Sequence, residues 1–147
     1  MTGPAFVDTN ILVYSRDAGE TAKQAAAKNL LALLWESRLG RISQQVLQEY
    51  YVTVTRKLKP GLSKPEARDD IEALLAWQPL AATSANFSKA WDVEDRFELS
   101  WWDSLIVASA LQAGCVYLFS EDLQDGLKID GLQIRNPLAP GFDLANC

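Results

Sequence analysis

The stretch Ala5-Phe6-Val7-Asp8-Thr9-Asn10 carries the reading of the fold. Three apolar residues are too few for an amphipathic surface strand, yet they suit a strand buried on both faces of a parallel sheet. A carboxylate directly after such a strand lies at the carboxyl edge of the sheet, where open α/β sheets bind their ligands. Downstream, three more acids stand in comparable settings: Glu49 in SQQVLQEYY, Asp103 in SWWDSLIVASAL and Asp122 in LFSEDLQDG.

The segments between these acids alternate in period. Ala22, Ala26, Leu30, Leu33 and Leu34 recur at helical spacing over residues 21–39, with Gly40 as the expected terminator. Arg41 to Ser43 makes a minimal second strand. From about Gln44 a helix shows Val46, Leu47, Tyr50, Val54 and Leu58 on one face, and Pro60-Gly61 ends it. Ser63-Lys64-Pro65-Glu66 is a capping box opening a helix to about Trp77. Pro79 to Ala81 is expected as a third strand, and Ser84 as the cap of a helix to about Glu98. Ser100-Trp101-Trp102-Asp103 forms a second capping box before the apolar helix ending at Ala113. Strands over Val116–Phe119 and Leu132–Ile134 follow. The expectation is a three-layer α/β/α fold with a parallel, about five-stranded sheet and right-handed crossovers, residues 1–147 forming one domain.

Composition narrows the chemistry. The 147 residues contain no histidine, which removes Ser-His-Asp and Cys-His nucleophile systems, histidine zinc sites and paired-imidazole ribonuclease chemistry. Two cysteines, Cys115 in an apolar run and Cys147 at the end, make neither a zinc site nor a disulfide framework and fit a reducing cytoplasm. No membrane span or signal peptide is expected. The net charge of −5 argues against nucleic-acid binding by bulk charge, although Arg56, Lys57 and Lys59 form a local basic cluster. Trp35, Trp77 and Trp91 are expected in the core. Tyr50-Tyr51 and Trp101-Trp102 straddle the acidic segments, where one ring can face a cleft or a partner, with stacking on a single-stranded base as a lesser reading.

Each acid also has an ordinary explanation. Asp8-Thr9-Asn10 is a turn sequence, Asp103 a capping acid, Asp122 and Asp125 loop formers, and Glu49, beside its apolar helix face, a solvated glutamate. What favours function is coincidence, since topology sends all four acids to one sheet edge. Two carboxylates ~4 Å apart repel by about 4 kcal/mol at an effective dielectric near 20. A cluster therefore needs raised pKa values or a cation. Oxygen-only ligands select a hard ion such as Mg²⁺ or Mn²⁺, suited to attack by water on a phosphodiester without an imidazole base.

In order and spacing, FVDTNILVY, SQQVLQEYYVTVTRK, SWWDSLIVASAL and LFSEDLQDG resemble the acidic motifs of the PIN-domain family, and within it the VapC-like toxins of toxin–antitoxin pairs. The resemblance covers nearly the whole chain. It implies that Asp8, Glu49, Asp103 and Asp122 are the catalytic, metal-binding quartet. Thr9, Asn10 and Ser120 would support it, and Asp125 would be an outer or second-metal ligand. It further implies Mg²⁺- or Mn²⁺-dependent cleavage of RNA, leaving a 5′-phosphate and 3′-hydroxyl, a homodimer, and inhibition by a cognate antitoxin whose tail covers the cleft. The acidic pI departs from what an RNA partner suggests. Two other readings remain: a non-catalytic PIN-like RNA-binding or assembly module, and a phosphatase of the haloacid-dehalogenase type. The latter needs an acid two residues after its nucleophile, where this chain has Asn10.

Overall fold

The computed structural model describes residues 1–147. Strand β1 (Ala5–Val7) leads into α1 (Thr9–Tyr14), followed by α2 (Thr21–Ser37), β2 (Gly40–Arg41) and α3 (Gln44–Val52). After α3 come one π-helical turn (Thr53–Lys57), α4 (Lys64–Leu74) with a 3₁₀ turn to Trp77, and the hairpin of α5 (Ser84–Phe97) and α6 (Trp101–Gln112). Strands β3 (Tyr117–Phe119), β4 (Lys128–Ile129) and β5 (Leu132–Arg135) complete the sheet. Its order is β2-β1-β3-β5-β4, with β4 antiparallel to β5 and every other pairing parallel. The α/β architecture expected from the sequence is therefore present, with an antiparallel edge.

Ala5, Phe6 and Val7 are all fully buried, although successive strand side chains point to opposite faces. Helices must cover both sides of β1. The core continues through Ile11, Leu34, Val46, Val54, Leu118, Phe119 and Ile134. Each such side chain contributes roughly 1.5–3 kcal/mol on leaving water.

Several local expectations fail for identifiable reasons. Residues 79–81 do not form a sheet strand: Leu80 makes a single parallel bridge to Ser43. The fifth strand is instead β4, which turns into β5 through Asp130 and Gly131, both at positive φ (49° and 87°). An Asp-Gly pair is the expected hairpin turn, and a two-residue strand before it has too little pattern to announce itself. Helix α2 ends at Arg38, itself left-handed with φ 60°. Gly40 is needed for another reason, because a Cβ there would lie 2.5 Å from the Trp77 ring. Helix α5 is capped by Thr83, whose N–H donates to Asn86 Oδ1 at 2.8 Å, so Ser84 is its first residue and not its cap. Trp91 (56 % exposed) and Trp35 lie on the surface rather than in the core. Helix α1, six residues long, has too short a period to be recognised before the structure.

Candidate active site

Strand order reverses direction between β1 and β3, since β2 lies on one side of β1 and β3 on the other. Residues leaving β1 and β3 flank that crevice. Asp8 leaves β1, and its N–H donates to the Phe119 carbonyl at the end of β3 (3.0 Å). Ser120, Glu121 and Asp122 leave β3. Asp8 also caps α1, Oδ1 accepting from Thr9 N at 2.7 Å. Its Oδ2 accepts from the Ser120 hydroxyl at 2.8 Å and from Asn10 Nδ2 at 3.2 Å.

Asn10 joins the two loops. Its Nδ2 lies 3.1 Å from Asp122 Oδ2 and 3.2 Å from Ser120 Oγ, while its Oδ1 accepts from Glu121 N at 3.1 Å. The N–H dipole between Asp8 and Asp122 offsets part of their mutual repulsion. Ser120 is fully buried and also accepts from Asp122 N at 3.2 Å. Thr9, Asn10 and Ser120 thus hold the acids in place through direct hydrogen bonds.

Glu49 comes from the second turn of α3. Thr9 Oγ1 donates to its Oε2 at 2.7 Å and Gln45 Nε2 to its Oε1 at 2.8 Å. Glu49 is half-buried and fixed from both sides, contrary to the solvated residue its helix face suggests. Its contact with Thr9, 40 residues away, had no signal in the periodicity of α3, and Gln45 was not singled out. Asp103 occupies the first turn of α6, where the Ser100 hydroxyl accepts from its N–H at 3.1 Å.

Electrostatics bind these four into one group. Burial, opposed by the Ser120 and Thr9 hydrogen bonds and reinforced by the charges of Asp103 and Glu49, raises the Asp8 pKa to about 6. Asp103 is also raised, by burial first and then by the charges of Asp122 and Glu49. Asp125 stands apart: its Oδ1 accepts from Asn136 N at 3.0 Å and pairs with Arg135 Nε at 3.4 Å. It stabilises the end of β5 and has no hydrogen bond to the other four acids or their supports.

No three acidic side chains are arranged to ligate a single ion in this structure. The donor set nonetheless fits a hard divalent cation. Every candidate ligand is a carboxylate oxygen, no histidine or cysteine lies among them, and the buried Asp8 carries a raised pKa that a cation would relieve. The groove beside the acids, about 480 Å³, is lined by Thr9, Asn10, Glu49, Asp122 and one cation, Lys57, which makes no ion pair in the structure.

A PIN domain family model matches residues 5–125. Among solved structures, a toxin–antitoxin complex from Klebsiella pneumoniae is similar over 90% of this chain and 97% of that one, at 17% identity and TM-score 0.62. VapBC2 from Rickettsia felis, bound to a DNA fragment from its promoter, is similar over the same shares at 18% identity and TM-score 0.61. VapC20 from Mycobacterium tuberculosis, a Sarcin-Ricin loop cleaving toxin, is similar over 80% of this chain and 91% of that one, at 22% identity and TM-score 0.59. At these identities the likeness is one of fold. No curated protein sequence matches.

Proposed function

The chain belongs to the PIN-domain family, and from that premise we propose that it is a Mg²⁺- or Mn²⁺-dependent endoribonuclease, the toxin of a toxin–antitoxin pair. The supporting observation is the hydrogen-bonded linkage of Asp8, Glu49 and Asp122, from three separate segments, through Thr9, Asn10 and Ser120, with the charge of Asp103 felt at Asp8. The toxin component rests on the fold likeness to toxin–antitoxin structures. In this reading residues 1–147 are one PIN-like domain, acting as a cytoplasmic homodimer and held in check by a cognate antitoxin. No helix is long and apolar enough to cross a membrane.

Asp8, Asp103 and Asp122 would hold the cation, with Glu49 as a further ligand directly or through water. A cation held there would supply positive charge to the phosphoryl oxygens and a more acidic water. The protein's own residues do the positioning. Thr9 and Gln45 fix both oxygens of Glu49, so neither can rotate away. Asn10 and Ser120 keep Asp8 and Asp122 together across the crevice. Lys57, in the same groove and free of an ion-pair partner, is available to a neighbouring backbone phosphate. That local cation answers the objection from the net charge of −5. With no histidine in the chain, protons move through carboxylates and solvent.

The test is cleavage of RNA by the purified chain with Mg²⁺ and with EDTA. Cleavage is expected only with the metal, and Asp8→Asn or Asp103→Asn should slow it roughly 100-fold or more, about 3 kcal/mol of barrier. Full activity of Asp8→Asn sinks the proposal. A non-catalytic PIN-like module is the second reading, favoured by the open disposition of the acids. Binding of RNA by the wild-type chain that Mg²⁺ or Mn²⁺ leaves uncut, and that Asp8→Asn leaves unchanged, would favour it.

A further inference from the structure

A second cavity of about 540 Å³ lies between the start of α3 and the α5–α6 hairpin. Glu49 lines both cavities. Of the residues lining this one, Glu49 alone is charged, so a phosphate has no cation to meet there. Its other walls are apolar side chains, two of them aromatic, with side-chain amides and two serines. Trp102 is 63 % exposed and Phe87 44 %. Gln44 and Gln48 are exposed with no hydrogen bond to their amides, while Gln45 is engaged with Glu49.

Flat rings for stacking, amides that donate and accept, and no positive charge are together the chemistry that recognises a nucleobase.

We propose that this cavity is a subsite for one unpaired nucleobase of the RNA, stacked on Trp102 and hydrogen-bonded by the amides of Gln44 and Gln48. The proposal rests on the reading of the chain as a ribonuclease and adds a source of sequence preference to it. Register comes from the chain itself. Trp102 precedes Asp103 in the first turn of α6, and Gln45 lies one turn before Glu49 on α3. The base subsite is therefore tied to the acids by two helices, and the base it takes belongs to a nucleotide beside the cleaved phosphodiester. A second copy of the chain docked on this face would bury the free amides of Gln44 and Gln48, a cost that a nucleobase edge avoids.

The experiment measures anisotropy of a labelled single-stranded octaribonucleotide in EDTA, with an abasic nucleotide walked along the strand. Trp102→Ala removes an exposed ring and Gln48→Ala an exposed amide, so neither threatens the core; circular dichroism checks the fold. Base removal at one position should weaken wild-type binding about 5-fold or more, as a single stacked base does. Trp102→Ala should weaken binding of the intact strand by a similar factor and add nothing on the strand abasic at that position. Gln48→Ala should act at the same position. Wild-type binding to Trp102→Ala, equal weakening by Trp102→Ala on every strand, or no wild-type binding overturns the subsite. So does conversion of a dimer to a monomer by Trp102→Ala with RNA binding unchanged, which assigns the face to a second copy. The expected binding pattern without cleavage on adding Mg²⁺ upholds the subsite and overturns the enzyme reading, whereas cleavage indifferent to Trp102 does the reverse.

Discussion

Replacing Asp8 by Asn should make the stability of the metal-free protein less dependent on pH while slowing cleavage roughly 100-fold or more. Asp8 is 6 % exposed, and its carboxyl is raised from 3.8 to about 6, chiefly by burial. That shift corresponds to about 3 kcal/mol against the ionised form at neutral pH. An asparagine removes this cost and still accepts from Thr9 N. Its amide, however, faces the Asn10 Nδ2 donor and leaves the buried Ser120 hydroxyl proton without its acceptor, at roughly 1 and about 1–3 kcal/mol. The two sides nearly cancel at neutral pH, so the variant should lie within about 1 kcal/mol of the wild type there and fall below it in acid, where the carboxyl carries no penalty. The sign follows from linkage. Well below pH 3.8 the carboxyl is protonated in both folded and unfolded chains and carries no penalty; the penalty grows between pH 3.8 and about 6 and is constant above. Thermal denaturation in EDTA should therefore show the variant gaining on the wild type by about 3 kcal/mol from about pH 3 to pH 7.5, most of it between pH 4 and 6. Added Mg²⁺ should stabilise the wild type alone. A difference between variant and wild type that does not change with pH would refute the reasoning.

Tyr50→Phe should cost about 1.5–3 kcal/mol in urea denaturation, because the Tyr50 hydroxyl donates to an Asp70 carboxylate that Arg16 also grips, and the three tie α3, α4 and the end of α1 together; a loss under 0.5 kcal/mol would count against that tie. Gly40→Ala should destabilise by about 1–3 kcal/mol, since its Cβ would lie 2.5 Å from the Trp77 ring, and an unchanged Tm would mean that Trp77 moves freely. Asp130→Asn keeps a residue that tolerates φ 49° but removes the carboxylate that Arg96 and Lys89 hold down to about 2. The wild-type advantage should be present above pH ~4 and disappear as pH falls through 2, read from paired thermal melts; an advantage that persists at pH 2 is the contrary result.

The parts of this fold legible in the sequence are those whose signal is local. Ser63 and Glu66 announce α4 by a reciprocal cap, both of whose bonds are present. Ala5–Val7 could only be a buried strand, and Asp8 could only follow it to the sheet edge. What escaped depends on distant partners. Gly40 looks like a helix terminator until Trp77, far along the chain, is laid against it. Glu49 looks solvated until α1 brings Thr9 to its carboxylate. Leu80 has a strand's neighbours but only Ser43 to pair with. Asp125 shares the acidic composition of its loop, yet Arg135 and the Asn136 amide claim it, a competition invisible before β5 is in place.

The lone pairs of Asp8 have a consequence for how an ion would be held. A carboxylate offers about four acceptor positions. Oδ2 already receives two donors, Ser120 and Asn10, whereas Oδ1 receives only Thr9 N. One position is left, and it is on Oδ1. Asp8 would therefore be a monodentate ligand, unless the bonds that order both loops are given up. An ion reaching Oδ1 would leave both loops tied through Oδ2, whereas one that required both oxygens would have to displace the Ser120 and Asn10 hydrogen bonds.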